Sequence, residues 1–306
     1  MGISRAAVWK QLQKLESMGL QIESVKGKGY QLPKSFELLH KQEITNHLSA
    51  NTLHHLQALQ IHQSVDSTNR VASEEIIQRQ SDQGNASGTV IISEYQTQGR
   101  GRRGKPWVSP FASNIYLSII WDFHNGASAL QGLSLSIGVA VKRALTEVGV
   151  DAVSLKWPND IYVNQKKLGG ILLEMVGDPA GHCTVIIGIG INVAMPNHSG
   201  QVIDQQWTDL SLCAQEPVSR NRIAALVIEH CFNILVNYEE QGFITYREEW
   251  QASDAFKGKQ GTVTSAKQST TGTILGVEDT GALKMQLSNG EVVSFIGGEL
   301  SLRLSD

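Results

Sequence analysis

The stretch Gly99-Arg100-Gly101-Arg102-Arg103-Gly104-Lys105-Pro106-Trp107 decides how this chain is read. Its glycines permit close backbone approach and point amide N–H groups at a ligand. Its arginines are fixed, always-charged forks suited to carboxylate or phosphate oxygens. The tryptophan that ends the run can stack on a flat ring. The segment therefore reads as a loop closing over a small anion that carries an aromatic base. A solvated basic loop and a segment tracking nucleic acid fit the same residues.

Upstream, Gly88 to Glu94 is an apolar run too continuous for a half-exposed strand, and it delivers Gln96 to the loop. Before it, Ile61 to Val65 alternates as a strand, and Asp66-Ser67-Thr68-Asn69 opens a helix that runs through Ile76 and Ile77. Small polar residues at such a corner also read as a simple N-cap. Downstream, Asn114 to Trp121 predicts a strand, and Leu130 to Val148 an amphipathic helix stopped by Gly149. Val153 to Trp157 is a strand broken by Pro158-Asn159-Asp160. Ile161 to Val163 and Lys167 to Glu174 form a hairpin turning at Asn164-Gln165. Thr184 to Asn192 is a buried strand whose Gly188 and Gly190 suggest close approach by a ligand or another element. Helices are expected over Asn221 to Tyr238 and around Tyr246 to Trp250.

The two ends differ in texture. From Phe256, short strands separated by Asp279-Thr280-Gly281 and Ser288-Asn289-Gly290 predict a small SH3-like β-barrel. At the other end, the apolar face from Ala7 to Met18, a strand to Val25 and the basic turn Lys26-Gly27-Lys28-Gly29 read as the second half of a winged helix-turn-helix. Ser4, Arg5, Trp9 and Lys10 would then meet a DNA groove. Pro33 ends this segment, and two short helices follow within Glu37 to Leu56. The expected domains are 1–36, 37–254 and 255–306.

Composition bounds the rest. With 306 residues, 41% hydrophobic and 18% charged, the chain can bury a substantial core, and its net charge of −3 announces no nucleic-acid or membrane partner in bulk. No run is long and apolar enough to suggest a membrane span, and no secretion signal is visible. Cys183, Cys213 and Cys231 are widely separated and lack metal-site spacing, as expected of inert thiols in a reducing cytoplasm.

Six blocks in order, Asp66 to Asn69, Glu94 to Gln96, Gly99 to Trp107, Lys156 to Asp160, Lys167 to Glu174 and Gly188 to Asn192, closely resemble the biotin protein ligases. More narrowly, the chain is similar to the bacterial group that doubles as the biotin operon repressor. The resemblance implies an α+β fold with a mixed-sheet, class II synthetase-like catalytic domain, a partial N-terminal winged helix-turn-helix and a C-terminal SH3-like barrel. It implies a two-step reaction that uses ATP, Mg²⁺ and biotin: biotinyl-5′-adenylate forms, then a lysine of the biotin carboxyl carrier protein of acetyl-CoA carboxylase takes the biotinyl group.

By the same resemblance, Ser67, Thr68, Asn69, Gln96, Arg100, Gly101, Arg102 and Lys167 hold biotin. Arg102, Arg103, Trp107, Lys156, Asn159, Asp160 and Asn192 hold the nucleotide. Arg102, Lys167 and Asp160 are the catalytic candidates, and Asp160 also the candidate for orienting the metal. A cytoplasmic homodimer, formed when adenylate is bound, is expected. Half a helix-turn-helix argues for ligation without operator DNA binding. Retained repressor activity and a lipoate-type protein ligase are the competing functions.

Overall fold

Helix capping and turn chemistry set the N-terminal module. The protein is described by a computed structural model, covering residues 4–20, 22–32, 36–178, 181–265, 268–297 and 300–304. Helix α1 (Arg5–Ser17) begins on Ser4, whose hydroxyl accepts from the Ala7 amide at 3.3 Å. That bond satisfies one of the amides a first helical turn leaves over. No residue of α1 is buried. Strands β1 (Glu23–Val25) and β2 (Gly29–Gln31) pair antiparallel across the basic turn. Pro33, read as the end of this module, lies outside the described residues. The Met18 carbonyl accepts from the Phe111 amide at 2.8 Å, and Leu20 is buried, so the module rests on the segment just after the arginine loop.

After the short helices α2 (Lys41–Asn46) and α3 (Ala50–His55), the central unit runs β3 (Ala58–His62), α4 (Thr68–Ser81), β4 (Thr89–Ser93), β5 (Ile115–Phe123), α5 (Leu133–Glu147), β6 (Val153–Lys156), β7 (Asp160–Val163), β8 (Lys166–Gly177) and β9 (Cys183–Ile191). These strands form a seven-stranded sheet in the order β3-β4-β5-β9-β8-β7-β6. Only β3 and β4 are parallel. The β7–β8 turn carries Asn164 and Gln165 at φ 49° and 63°, the left-handed pair that matches the twist of a two-residue hairpin.

The segment after β9, unread in the sequence, makes two single-turn helices, α6 (Asn197–Gly200) and α7 (Leu210–Cys213). Next come α8 (Arg220–Leu235), α9 (Tyr238–Gln241) and α10 (Arg247–Ala252). Helices α5 and α8 cover one sheet face, burying Leu117, Ile119, Ile187 and Ile189 of the central strands. On the other face α4 packs Ala72 and Ile76 over Ile91, Ile120 and Ile186. Beyond the start of α4 that face carries Gly170, Gly188 and Gly190, aligned in register with Tyr116, Ser118 and Leu172. With no side chains at these glycines, other groups can pack directly on the strand backbone, as Asn69 does at Gly188 and Trp107 at Gly190.

The C-terminal strands β10 (Gln260–Thr264), β11 (Ser269–Val277), β12 (Leu283–Gln286), β13 (Val292–Phe295) and β14 (Ser301–Leu304) form an antiparallel sheet in the order β13-β12-β11-β10-β14. Among the described residues β13 and β14 do not pair with each other, so the sheet stays open. Its apolar side chains, including Val263, Ile274, Leu283 and Met285, belong to the same cluster as Trp157, Tyr238 and Trp250 of the central unit. The Trp157 indole also donates to the Gly281 carbonyl at 3.1 Å. The cores of the two units are therefore continuous.

Candidate active site

This glycine-bearing face floors a cavity of about 520 Å³. Ser67, Thr68 and Asn69 reach it from the start of α4. Ser67 sits at the N-cap position, and its hydroxyl makes no capping bond. Gln96 lies beside them, its side-chain oxygen accepting from the Thr68 amide at 2.8 Å and its nitrogen donating to Ser109 at 2.9 Å. Asn69 lies directly over Gly188: a Cβ built there would come within 2.4 Å of the Asn69 oxygen. Thr68, Asn69 and Gln96 are all buried.

The arginine loop makes one wall. Its stems are joined by the Trp107 amide donating to Gly99 at 2.8 Å and the Gly101 amide donating to Lys105 at 2.7 Å. Arg103 turns the tip at φ 58°. Trp107 lies against the sheet, with its indole where a Cβ of Gly190 would be, 2.6 Å away. Arg102 reaches back, donating to the Asn159 side chain at 2.9 Å and to the Leu300 carbonyl at 3.2 Å. Burial pulls this guanidinium below its ordinary pKa, against the opposing pull of Asp160. Arg100 is held at 3.7 Å from Glu174.

Cations gather at the centre. The Lys167 ammonium is 2.7 Å from Asp160 and 5.6 Å from the centroid of the Trp107 ring. Lys156 approaches the other Asp160 oxygen at 3.2 Å. Burial would raise the Asp160 carboxyl, but the two ammonium groups overcome it and hold the pKa below the ordinary value. Asn159 is fixed by a bond to the Ile171 carbonyl at 2.7 Å. Asn192 donates to Thr208 at 3.0 Å, while its oxygen and the Trp107 indole N–H are buried with no hydrogen-bond partner among the described residues. An acceptor and a donor left open in one cavity are what a polar ligand would satisfy.

This arrangement can neutralise two anions brought together. All fourteen residues proposed from sequence, from Ser67 to Asn192, line the one cavity. The DNA candidates Arg5, Trp9 and Lys10 stand apart on exposed α1, with Ser4 engaged as its cap.

Comparison with known proteins agrees with the geometry. Residues 61–192 match the biotin/lipoate A/B protein ligase family, residues 1–31 an HTH domain and residues 258–303 the biotin protein ligase C terminal domain. The chain is 35% identical over 306 residues to the bifunctional ligase/repressor BirA of Escherichia coli, spanning 100% of this chain and 91% of that protein. The chain belongs to the biotin protein ligases. The biotin–[acetyl-CoA-carboxylase] ligase of Paracoccus denitrificans is 30% identical over 207 residues, covering 66% of this chain and 86% of that one. A solved biotin protein ligase from Aquifex aeolicus, in complex with biotin and ATP, superposes with a TM-score of 0.69 at 27% identity, over 82% of this chain and all of that one.

Sequence reading missed several parts of this ligase's cavity. Leu300, Ser301, Leu302 and Arg303 of β14 and its approach line it, as do Val202 to Gln205 and Trp207. Lys105 of the loop lies 3.6 Å from Asp204. None of these positions carries a local signal, because distant segments bring them in. The ligase's residues do not suit a protein-built metal cage. Among the described residues no three His, Cys, Asp or Glu side chains gather as one, and both Asp160 oxygens already face lysines.

Proposed function

We propose that this ligase activates biotin with ATP and transfers it to a lysine of the biotin carboxyl carrier protein of acetyl-CoA carboxylase. The observation that carries this reading is the convergence of Lys167, Lys156, Arg102 and Asp160 beside a polar floor and a glycine-backed tryptophan, all within one cavity. In the first step a biotin carboxylate oxygen attacks the α-phosphorus of ATP. The bond to the bridging oxygen breaks, and pyrophosphate leaves. Thr68, Asn69, Gln96 and Ser67 would seat the biotin head group, while Arg100, Gly101 and Arg102 order around carboxylate and phosphate. Lys167, aimed by Asp160, would neutralise charge as it grows on the phosphate. Trp107 and Asn192 would receive the adenine, with Arg103, Asn159 and Lys156 completing the nucleotide end. In the second step the carrier amine attacks the biotinyl carbonyl; an amide forms, AMP departs and the amine loses a proton.

Magnesium belongs to this reading as a companion of the nucleotide, with phosphates and water as its main ligands. Asp160 then orients the lysines in place of the metal. A cytoplasmic setting follows from an ATP-dependent acceptor reaction, and no described helix is long and apolar enough to cross a membrane. Dimerisation on adenylate binding is part of the same proposal.

The test is incubation with ATP, Mg²⁺ and biotin, followed by mass spectrometry for bound biotinyl-5′-adenylate and then for a labelled carrier lysine. Absence of the adenylate would refute the proposal, and preferential use of lipoate would move the assignment to a lipoate-type ligase. A second reading, operator binding, is favoured by the exposed Arg5, Trp9 and Lys10 on α1, a helix with no buried residue, and by the HTH match. Operator binding measured across salt concentrations decides it, since phosphate contacts weaken steeply with salt.

A further inference from the structure

We infer that Glu174, which stands outside the cavity lining, is a positioning residue that fixes the donor and acceptor order of the biotin floor and ties both stems of the arginine loop to it. The inference rests on the ligase reading and deepens it. Glu174 Oε2 accepts from Asn69 Nδ2 at 2.6 Å, while Oε1 faces Arg100 at 3.7 Å. A carboxylate has no proton to give. Asn69 must therefore turn its nitrogen to Glu174 and its oxygen to Ser118, whose hydroxyl lies 2.6 Å away.

From there the polar contacts continue without a break. The Ser118 oxygen is also 2.8 Å from Thr68 Oγ1, so one hydrogen is offered two acceptors. Thr68 donates to Gln96 through its amide, Gln96 to Ser109, and Ser109 to the Trp107 carbonyl at 2.9 Å. The succession thus begins at Arg100 on one stem of the loop and ends at Trp107 on the other. It passes through the three floor residues on the way. Ser118 and Gly188 are register partners, and Glu174 pairs with Ile186 in the next row, so the sheet itself sets these spacings.

An amide in place of Glu174 could present either end to Asn69. The Asn69 side chain would then be free to turn over, and the Ser118 hydrogen would pass to Thr68. A cyclic urea, with one carbonyl acceptor and two N–H donors in fixed positions, would meet a floor of mixed polarity. The same substitution removes the charge that faces Arg100, loosening that stem. Biotin binding and adenylate retention should both suffer, and ATP binding, which also draws on Lys156, Asn159 and Asn192, should suffer much less.

The test compares wild type, Glu174→Gln, Ser118→Ala and the double variant. Readouts are KM for biotin, KM for ATP, the half-life of bound adenylate and the thermal midpoint. For Glu174→Gln, KM for biotin should rise about tenfold and the adenylate half-life should shorten, with a much smaller change in KM for ATP and the midpoint unchanged. Ser118→Ala, a small change at a fully buried site, should act the same way, and the double variant should be no worse than the poorer single one. Unchanged biotin KM in both single variants, strictly additive effects, or a parallel rise in both KM values with a lowered midpoint would overturn the inference. Failure of the wild type to form adenylate would sink the ligase reading itself, before any variant is compared.

Discussion

Among single residues, charge placement carries the chemistry. Lys167 is aimed by its 2.7 Å ion pair with Asp160 and stands over Trp107, so in the proposed reaction its ammonium would be in place before phosphate charge develops. Lys167→Ala should slow single-turnover adenylate formation by about 10²–10³-fold, the usual cost of losing one preorganised charge. Rapid-quench measurement with excess enzyme checks it, and an unaltered rate would remove Lys167 from the mechanism. Arg102 plays a different part, joining the loop to Asn159 and to the carbonyl of Leu300. Arg102→Gly should leave the fold intact and shorten the life of bound adenylate by about tenfold or more, as the absence of charge-assisted bonds would. Gel filtration of the preloaded complex, with timed release of adenylate, reads this directly.

Among the elements, the decisive feature is glycine placement on β8 and β9. Gly170 and Gly190 are register partners under Trp107, and Gly188 lies under Asn69. On the proposed reading the sheet then has a nucleotide end and a biotin end, one row apart. A Cβ at Gly190 would sit 2.6 Å from the Trp107 ring, so Gly190→Ala must displace the indole or strain the strand. If the indole moves, adenine is deprived of its stacking partner and of the apolar area buried against it. KM for ATP should then rise by about tenfold, with KM for biotin little changed. Steady-state kinetics with each substrate varied in turn would expose an equal effect on both, which contradicts the division of the cavity.

Across the whole molecule, the central and C-terminal units share one apolar core, and Asp254 lies at their junction. Its Oδ1 accepts from the Phe256 amide at 2.9 Å, and its backbone bridges to Leu155. Burial pushes this carboxyl up to about 6, against the downward pull of the Phe256 amide, Lys257 and Lys259. A raised folded pKa adds stability while the group is protonated, below the unfolded value of about 4, and that contribution is lost as pH rises through about 6. Asp254→Asn keeps the acceptor for Phe256 and removes the ionisation. The variant should gain on the order of 2 kcal/mol over the wild type at neutral pH, with the gain fading toward about pH 4. Denaturant titration across that range measures it, and a pH-independent difference would contradict the assignment.

Residue order alone established what is local and chemical. The strand and helix succession from β3 to β9, the hairpin at Asn164-Gln165 and the capped start of α1 follow from periodicity and turn chemistry, and each appears in the fold. The six ordered blocks named the cavity-lining residues through their resemblance to the biotin protein ligases; taken singly, Ser67, Lys167, Asp160 and Trp107 read equally as cap, surface, turn and core residues. Everything else waited on the folded chain. That Ser67 caps nothing, that Asp160 is shared by two lysines, that β14 closes one side of the cavity and that Glu174 reads out Asn69 are relations between segments far apart in the chain. No local pattern encodes them. They arise when sheet register and a continuous core bring separate stretches within hydrogen-bond reach.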